Sequence, residues 1–200
     1  MTPVSKMNRF ERIVRQIYES FKAGDIQLPE TIVSQIQDAL SEIEISIKQK
    51  YELTGKSIPH FSRTPLMEEN LRIIVSSIRQ IQEEGGNMNF VIFHAHKEKN
   101  YYIQIAAGYG NPVLYVEAVG NDVLSLENRL NNDKISILKS NGWNPPGGEF
   151  TTENFYRDDY DWVALDDEDR LIIAKEILHT FIEVYGFSSN QKIDVEVTLE

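Results

Sequence analysis

Residues 90–119 read FVIFHAH-KEKN-YYIQIAA-GYGNP-VLYVEAV, and the fold turns on how this stretch is parsed. Three runs, Phe90 to His96, Tyr101 to Ala107 and Val113 to Val119, are rich in aromatic and β-branched residues, which favour a pleated, half-buried surface. The separators, Lys97-Glu98-Lys99-Asn100 and Gly108 to Pro112, have the length and composition of hairpin turns. The stretch therefore predicts a three-stranded antiparallel meander. Side chains alternate along a strand, so Tyr101, Ile103 and Ile105 share one face and Tyr102 and Gln104 the other. The second face is the more polar, and is the expected solvent side. Tyr115 and Glu117 extend it on the third strand.

Upstream the period is helical. Phe10, Ile13, Val14, Ile17, Tyr18 and Phe21 follow the i, i+3, i+4, i+7 rule of an amphipathic helix, stopped at Gly24-Asp25. Pro29 and Glu30 open a second helix, with the stripe Ile32, Ile36, Ala39, Leu40, Ile43 and Ile47. Thr64-Pro65 reads as an N-cap followed by proline at the first helical position. That third helix carries Leu71, Ile74, Ile78 and Ile81 and ends at Gly85-Gly86. These stripes can bury against each other, against the sheet, or against a second copy.

Downstream, residues 124–141 are helical in part, with an interruption at Asn131-Asn132-Asp133. Residues 142–148 form a Gly/Pro loop, and Glu149 to Arg157 reads as a further strand. Asp166 to Asp169 cap a long helix with the stripe Leu171, Ala174, Leu178, Phe181 and Tyr185, ended by Gly186. The tail alternates Ile193, Val195, Val197 and Leu199 with Asp194, Glu196, Thr198 and Glu200, the pattern of a strand with one buried face. The fold class expected is α+β, with a helical segment over residues 1–86 and an antiparallel sheet packed with helices over residues 87–200.

Composition narrows function. Net charge is −11, and residues 89–200 carry 9 Lys/Arg against 19 Asp/Glu. Such a surface repels phosphates, so no nucleic-acid partner is expected, and it attracts a basic segment of a partner protein. No apolar run approaches the length of a membrane span, and Met1 to Phe21 is too charged for a signal peptide, so a soluble cytoplasmic protein is expected. The chain has no cysteine, which excludes a disulfide framework, thiolate metal ligation and a thiol nucleophile.

Few residues suggest chemistry. His94 and His96 share a strand face by simple alternation, and a His-x-His pair can ligate zinc or iron if a third ligand, such as His60 or a carboxylate, joins it. A metal-dependent enzyme or regulator is thus one alternative; against it stands the plainer reading of a polar strand end. The acids from Asp158 to Asp169 lack the spacing of a calcium loop. They suit a helix cap and its dipole. Neither Gly108-x-Gly110 nor Gly147-Gly148 has a phosphate-binding pattern, and no nucleophile elbow occurs. No cofactor and no catalysis are expected. Trp143, set among Gly142, Pro145 and Pro146, is followed by Phe155, Tyr156 and Trp162. Such aromatics build either a rigid binding surface or the lid of a core.

The order Tyr102-Ile103-Gln104, Glu117-Ala118-Val119-Gly120-Asn121, a short helix, Gly142-Trp143 with Pro145, Asn154-Phe155 and a long C-terminal helix resembles the TY-Chap group. These are peptide-binding, chaperone-like domains related to type III secretion chaperones and YbjN. The resemblance spans roughly residues 88–187. It implies a small α+β domain, with helices packed on one face of an antiparallel sheet, that binds extended segments of partner proteins without catalysis or cofactor. The expected function is therefore a non-catalytic protein- or peptide-binding module acting through the sheet face or edge. The expected contact residues are Tyr102, Gln104, Tyr115, Trp143, Phe155 and Tyr156. A structural role, with the helical segment as a homodimerisation arm, is the remaining alternative.

Overall fold

The computed structural model describes residues 24, 29, 31–35, 64–147, 153–157 and 162–200. The chain divides into two compact units, Met1–Ser57 with Asp159–Asp161, and Ile58–Asp158 with Trp162–Glu200. In the first unit, residues 31–35 are helical. Pro29 O accepts from the backbone N–H groups of Ile32 and Val33, so this helix starts where the proline predicts. The expected helix from Phe10 to Phe21, and most of the second, lie outside the described residues.

Among its described residues, the second unit holds a five-stranded antiparallel sheet and three α-helices. In chain order they are α1 (Pro65–Glu83), β1 (Asn89–His96), β2 (Tyr101–Ala107), β3 (Tyr115–Ala118), α2 (Asn132–Ser140), β4 (Phe155–Arg157), α3 (Asp167–Glu183) and β5 (Asp194–Thr198). The sheet order is β4-β3-β2-β1-β5. The meander β1-β2-β3 stands as its pattern predicts, with Phe93 opposite Ile103 and Ile103 opposite Ala118. The C-terminal strand returns to pair with β1, placing Phe93 opposite Val195.

One face of the sheet is the core. Val91, Phe93, Ile103, Ile105, Val116 and Ala118 are buried in one cluster with Ile74, Ile78 and Ile81 of α1 and Ile173, Ile177 and Phe181 of α3. Thr64 caps α1, its hydroxyl accepting from Met67 N at 3.2 Å. Asp166 and Asp169 form a reciprocal capping box at α3, the arrangement expected of acids at a positive helix end.

The compact unit begins at Ile58, upstream of the boundary drawn at residue 86 from the change of period, because α1 is stitched into the sheet. Buried polar side chains do this. Asn70 donates to Gln191 O (2.9 Å) and accepts from Ile193 N (3.2 Å). Gln82 Nε2 donates to Asn111 O and Ala164 O, and its Oε1 accepts from Arg170. Asn89 Nδ2 reaches the carbonyls of Ile81 (2.9 Å), Glu84 (2.6 Å) and Gly86 (3.0 Å), while its Oδ1 accepts from Glu200 N (3.1 Å). Gly85 makes the close turn possible: its φ is +75°, and a Cβ there would lie 2.7 Å from Asn89 Oδ1.

Two expectations need correction. Trp143 and Phe155 are 3% and 4% exposed and belong to the core cluster. Trp143 packs on Trp162 with ring centroids 5.7 Å apart. Phe155 sits opposite Ala118, on the helix-covered face. Both close the core beneath the loop and present no ring to a partner. The tail strand alternates as predicted, yet Val197 and Leu199 are 39% and 37% exposed. Val197 lies opposite the buried Val91, yet it stays partly open because β5 is the last described strand and has a strand neighbour on one side only.

Candidate functional site

The second face of the sheet gathers the other residues singled out from sequence. Gln104 lies opposite Glu117, and Glu117 opposite Tyr156. Tyr115 and Tyr102 flank this row on the same face by alternation. Their polar groups form one network. Tyr115 OH donates to Glu117 Oε1 at 2.9 Å, and Asn154 Nδ2 donates to Glu117 Oε2 at 3.2 Å and to Tyr102 OH at 3.3 Å. Asn154 Oδ1 in turn accepts from Gly120 N at 3.1 Å. Burial raises the Tyr102 phenol above its ordinary range, and the Glu117 charge adds to that. The face is thus polar, but it is not open: Tyr102, Gln104 and Tyr115 are half-buried and Tyr156 is buried. None of the six expected contact residues is exposed.

The motif residues behind the family resemblance hold backbone. A Cβ on Gly120 would meet Glu153 O at 2.5 Å, so only glycine lets the β4 approach pass. Asn121 brackets the following loop, donating to Leu130 O (2.9 Å) and accepting from Leu130 N (2.7 Å).

His94 and His96 do not share a face. A β-bulge between them shifts the register, so that His94 lies opposite Tyr102 and His96 opposite Tyr101. His94 stays on the polar face, 6.2 Å from the Tyr102 ring, with Nε2 3.4 Å from Glu196 Oε1. His96 turns to the helix side, beside Phe187 and Tyr101, with Nε2 3.4 Å from Gly186 O. Two imidazoles on opposite faces cannot chelate one ion. His60 lies outside the described residues. Among the described residues no group of three His, Asp or Glu side chains is placed to hold a metal ion.

The sheet edges differ. At β4 the outward backbone groups are taken: Asn144 N donates to Tyr156 O at 2.9 Å and Tyr156 N to Asn144 O at 3.1 Å. At β5 no described strand lies beyond the pairing with β1. Asp194, Glu196, Val197, Thr198 and Leu199 are exposed there. Glu196 is hydrogen-bonded by Lys97, which holds its carboxyl below the ordinary carboxylate range. Sequence reading left face or edge open and placed the contact residues on the face, because alternation marks it as polar. The alternating tail signals a strand, but whether that strand is an edge depends on sheet order.

A groove of about 550 Å³ lies between α1 and α3, floored by Leu71, Val75 and Leu171. The Arg79–Asp167 ion pair bridges the two helices beside it. Its rim mixes both charges through Glu68, Arg72, Arg79 and Asp167.

These features define an α+β unit with helices over one face of an antiparallel sheet and one acidic strand edge that, among the described residues, no further strand pairs. No family model, curated protein or solved structure matches the chain. Among the described residues, no helix is long and apolar enough to cross a membrane.

Proposed function

We propose that this unit is a non-catalytic module that binds an extended segment of another protein by adding it as a sixth strand beside β5. The observation that carries this is the contrast between the edges. β4 is closed by Asn144, whereas β5 is exposed from Asp194 to Thr198 apart from half-buried Val195. An unpaired strand offers a row of backbone donors and acceptors, and peptide addition to such an edge is a recurring recognition mode. The likeness to TY-Chap domains supports the same reading, since those bind extended segments. The contact residues move accordingly, from the aromatic set on the face to Asp194, Val195, Glu196, Val197 and Thr198.

The test uses nine-residue synthetic peptides of alternating pattern, read by fluorescence anisotropy and by amide hydrogen exchange. Binding should slow exchange of β5 amides. The double variant Val197→Lys, Leu199→Lys should abolish it, because lysines on an edge guard against strand addition. Both positions are exposed, so circular dichroism should stay unchanged. Protection appearing in the α1–α3 groove instead, or full binding by the double variant, refutes the proposal.

A further inference from the structure

We infer that the occupant of the β5 edge is a basic segment in which lysine or arginine alternates with apolar residues, and that it is not a second copy of this chain. The inference rests on the edge reading above and names the partner's chemistry.

The two sides of β5 differ. On one side stand Asp194 and Glu196, in cross-strand rows with His94 and Ile92. On the other stand Val195, Val197 and, just past the strand, Leu199. A strand added beyond β5 places its side chains about 4.5–5.5 Å from these, in matching alternation. Its side chains on the first face therefore meet two carboxylates. The cations already there are few. Lys97 pairs with Glu196, and His94 approaches it at 3.4 Å. Asp194 makes no close ion pair among the described residues, and Lys97 acts on it only at longer range. Side chains on the second face meet the exposed Val197 and Leu199, where apolar groups gain by burial.

A second copy fails the same test. Antiparallel self-pairing centred on β5 sets Glu196 against Glu196 of the other copy, on a chain whose net charge is −11. Like charges directly opposite destabilise a sheet pair. An edge of this kind discourages its own dimerisation and leaves the site to a partner of opposite charge.

The experiment compares three nine-residue peptides on the full chain, alternating valine with lysine, with glutamate or with threonine. Anisotropy gives affinity, and amide exchange reports whether β5 is the site. The lysine peptide should bind about tenfold more tightly than the glutamate peptide, from two favourable rather than unfavourable cross-strand pairs. That preference should shrink in high salt. The double variant Asp194→Lys, Glu196→Lys should invert the order. Asp194→Lys alone, which leaves the Lys97–Glu196 pair intact, should weaken lysine-peptide binding by a smaller factor. If all three peptides bind equally and protect β5, the charge assignment is wrong while the edge reading stands. If none protects β5, both fall. If light scattering shows a dimer that Val197→Lys dissociates, the occupant is a second copy and the inference is overturned.

Discussion

Asn89 is the residue on which the joint between α1, β1 and the C-terminus depends, and its removal gives the sharpest test of the fold. Asn89 is fully buried. Its amide group has two hydrogens shared among three carbonyls, of Ile81, Glu84 and Gly86, and its oxygen accepts from Glu200 N. Counting two donated bonds and one accepted, each worth about 1 kcal/mol net, Asn89→Ala should cost about 3 kcal/mol. For a unit of this size that lowers Tm by roughly 10 °C. Asn89→Asp is the discriminating companion. An ionised carboxylate cannot donate to carbonyl oxygens, so at neutral pH it should be less stable than Asn89→Ala. The neutral acid can donate one bond, and burial beside carbonyl oxygens raises the carboxyl's pKa in the folded state, so the gap should narrow as pH falls toward the ordinary carboxylate range. Chemical denaturation of the three proteins at pH 7 and pH 4 measures this. A loss under about 1 kcal/mol for Asn89→Ala, or an aspartate variant as stable as the parent at pH 7, refutes the reasoning. Hydrogen exchange at residues 194–200 should rise in both variants, since Asn89 also anchors the end of β5.

Three further outcomes follow from the packing. Trp143→Ala should lose about 3–5 kcal/mol in denaturant melts, because it empties a core site against Trp162; unaltered stability would return Trp143 to the surface. Gly120→Ala should destabilise by about 1–3 kcal/mol, since Glu153 O must move to admit a methyl group, whereas Gly147→Ala, with nothing within 4 Å of its Cβ, should cost only the strain of its φ of +83°. Tyr185 is buried and donates to Val119 O at 3.1 Å. Burial raises its phenol well above 10.0, so the folded chain keeps a proton that the unfolded chain releases. Stability from this group is complete below pH 10 and is lost as pH rises beyond it. Tyr185→Phe should therefore flatten the alkaline limb of the stability curve, at a neutral-pH cost of about 1 kcal/mol for the lost hydrogen bond.

The local elements were legible because their signals are local. Thr64-Pro65 marked the start of α1, the Asp166–Asp169 group marked the cap of α3, and alternation sorted Ile103 and Ile105 from Tyr102 and Gln104. The misread residues each depended on something non-local. Alternation alone put His94 and His96 together, but one inserted residue at a bulge sends them to opposite faces. Trp143 among prolines and glycines reads equally as a surface ring or as a core lid, and its pairing with Trp162 settles that.

Among the described residues from 64 onward, the sequence by itself placed the main strands and helices and their apolar faces, because periodicity and capping are properties of neighbours along the chain; of the strand expected from Glu149 to Arg157, Phe155–Arg157 is seen and residues 149–152 lie outside the described residues. Only the tertiary structure decided that α1 belongs to the sheet, since the hydrogen bonds of Asn70, Gln82 and Asn89 join residues distant in the chain. Only it decided the sheet order that closes β4 with Asn144 and leaves β5 exposed. Whether a strand is interior or edge is a property of its neighbours in space, and no pattern within Asp194 to Thr198 encodes it.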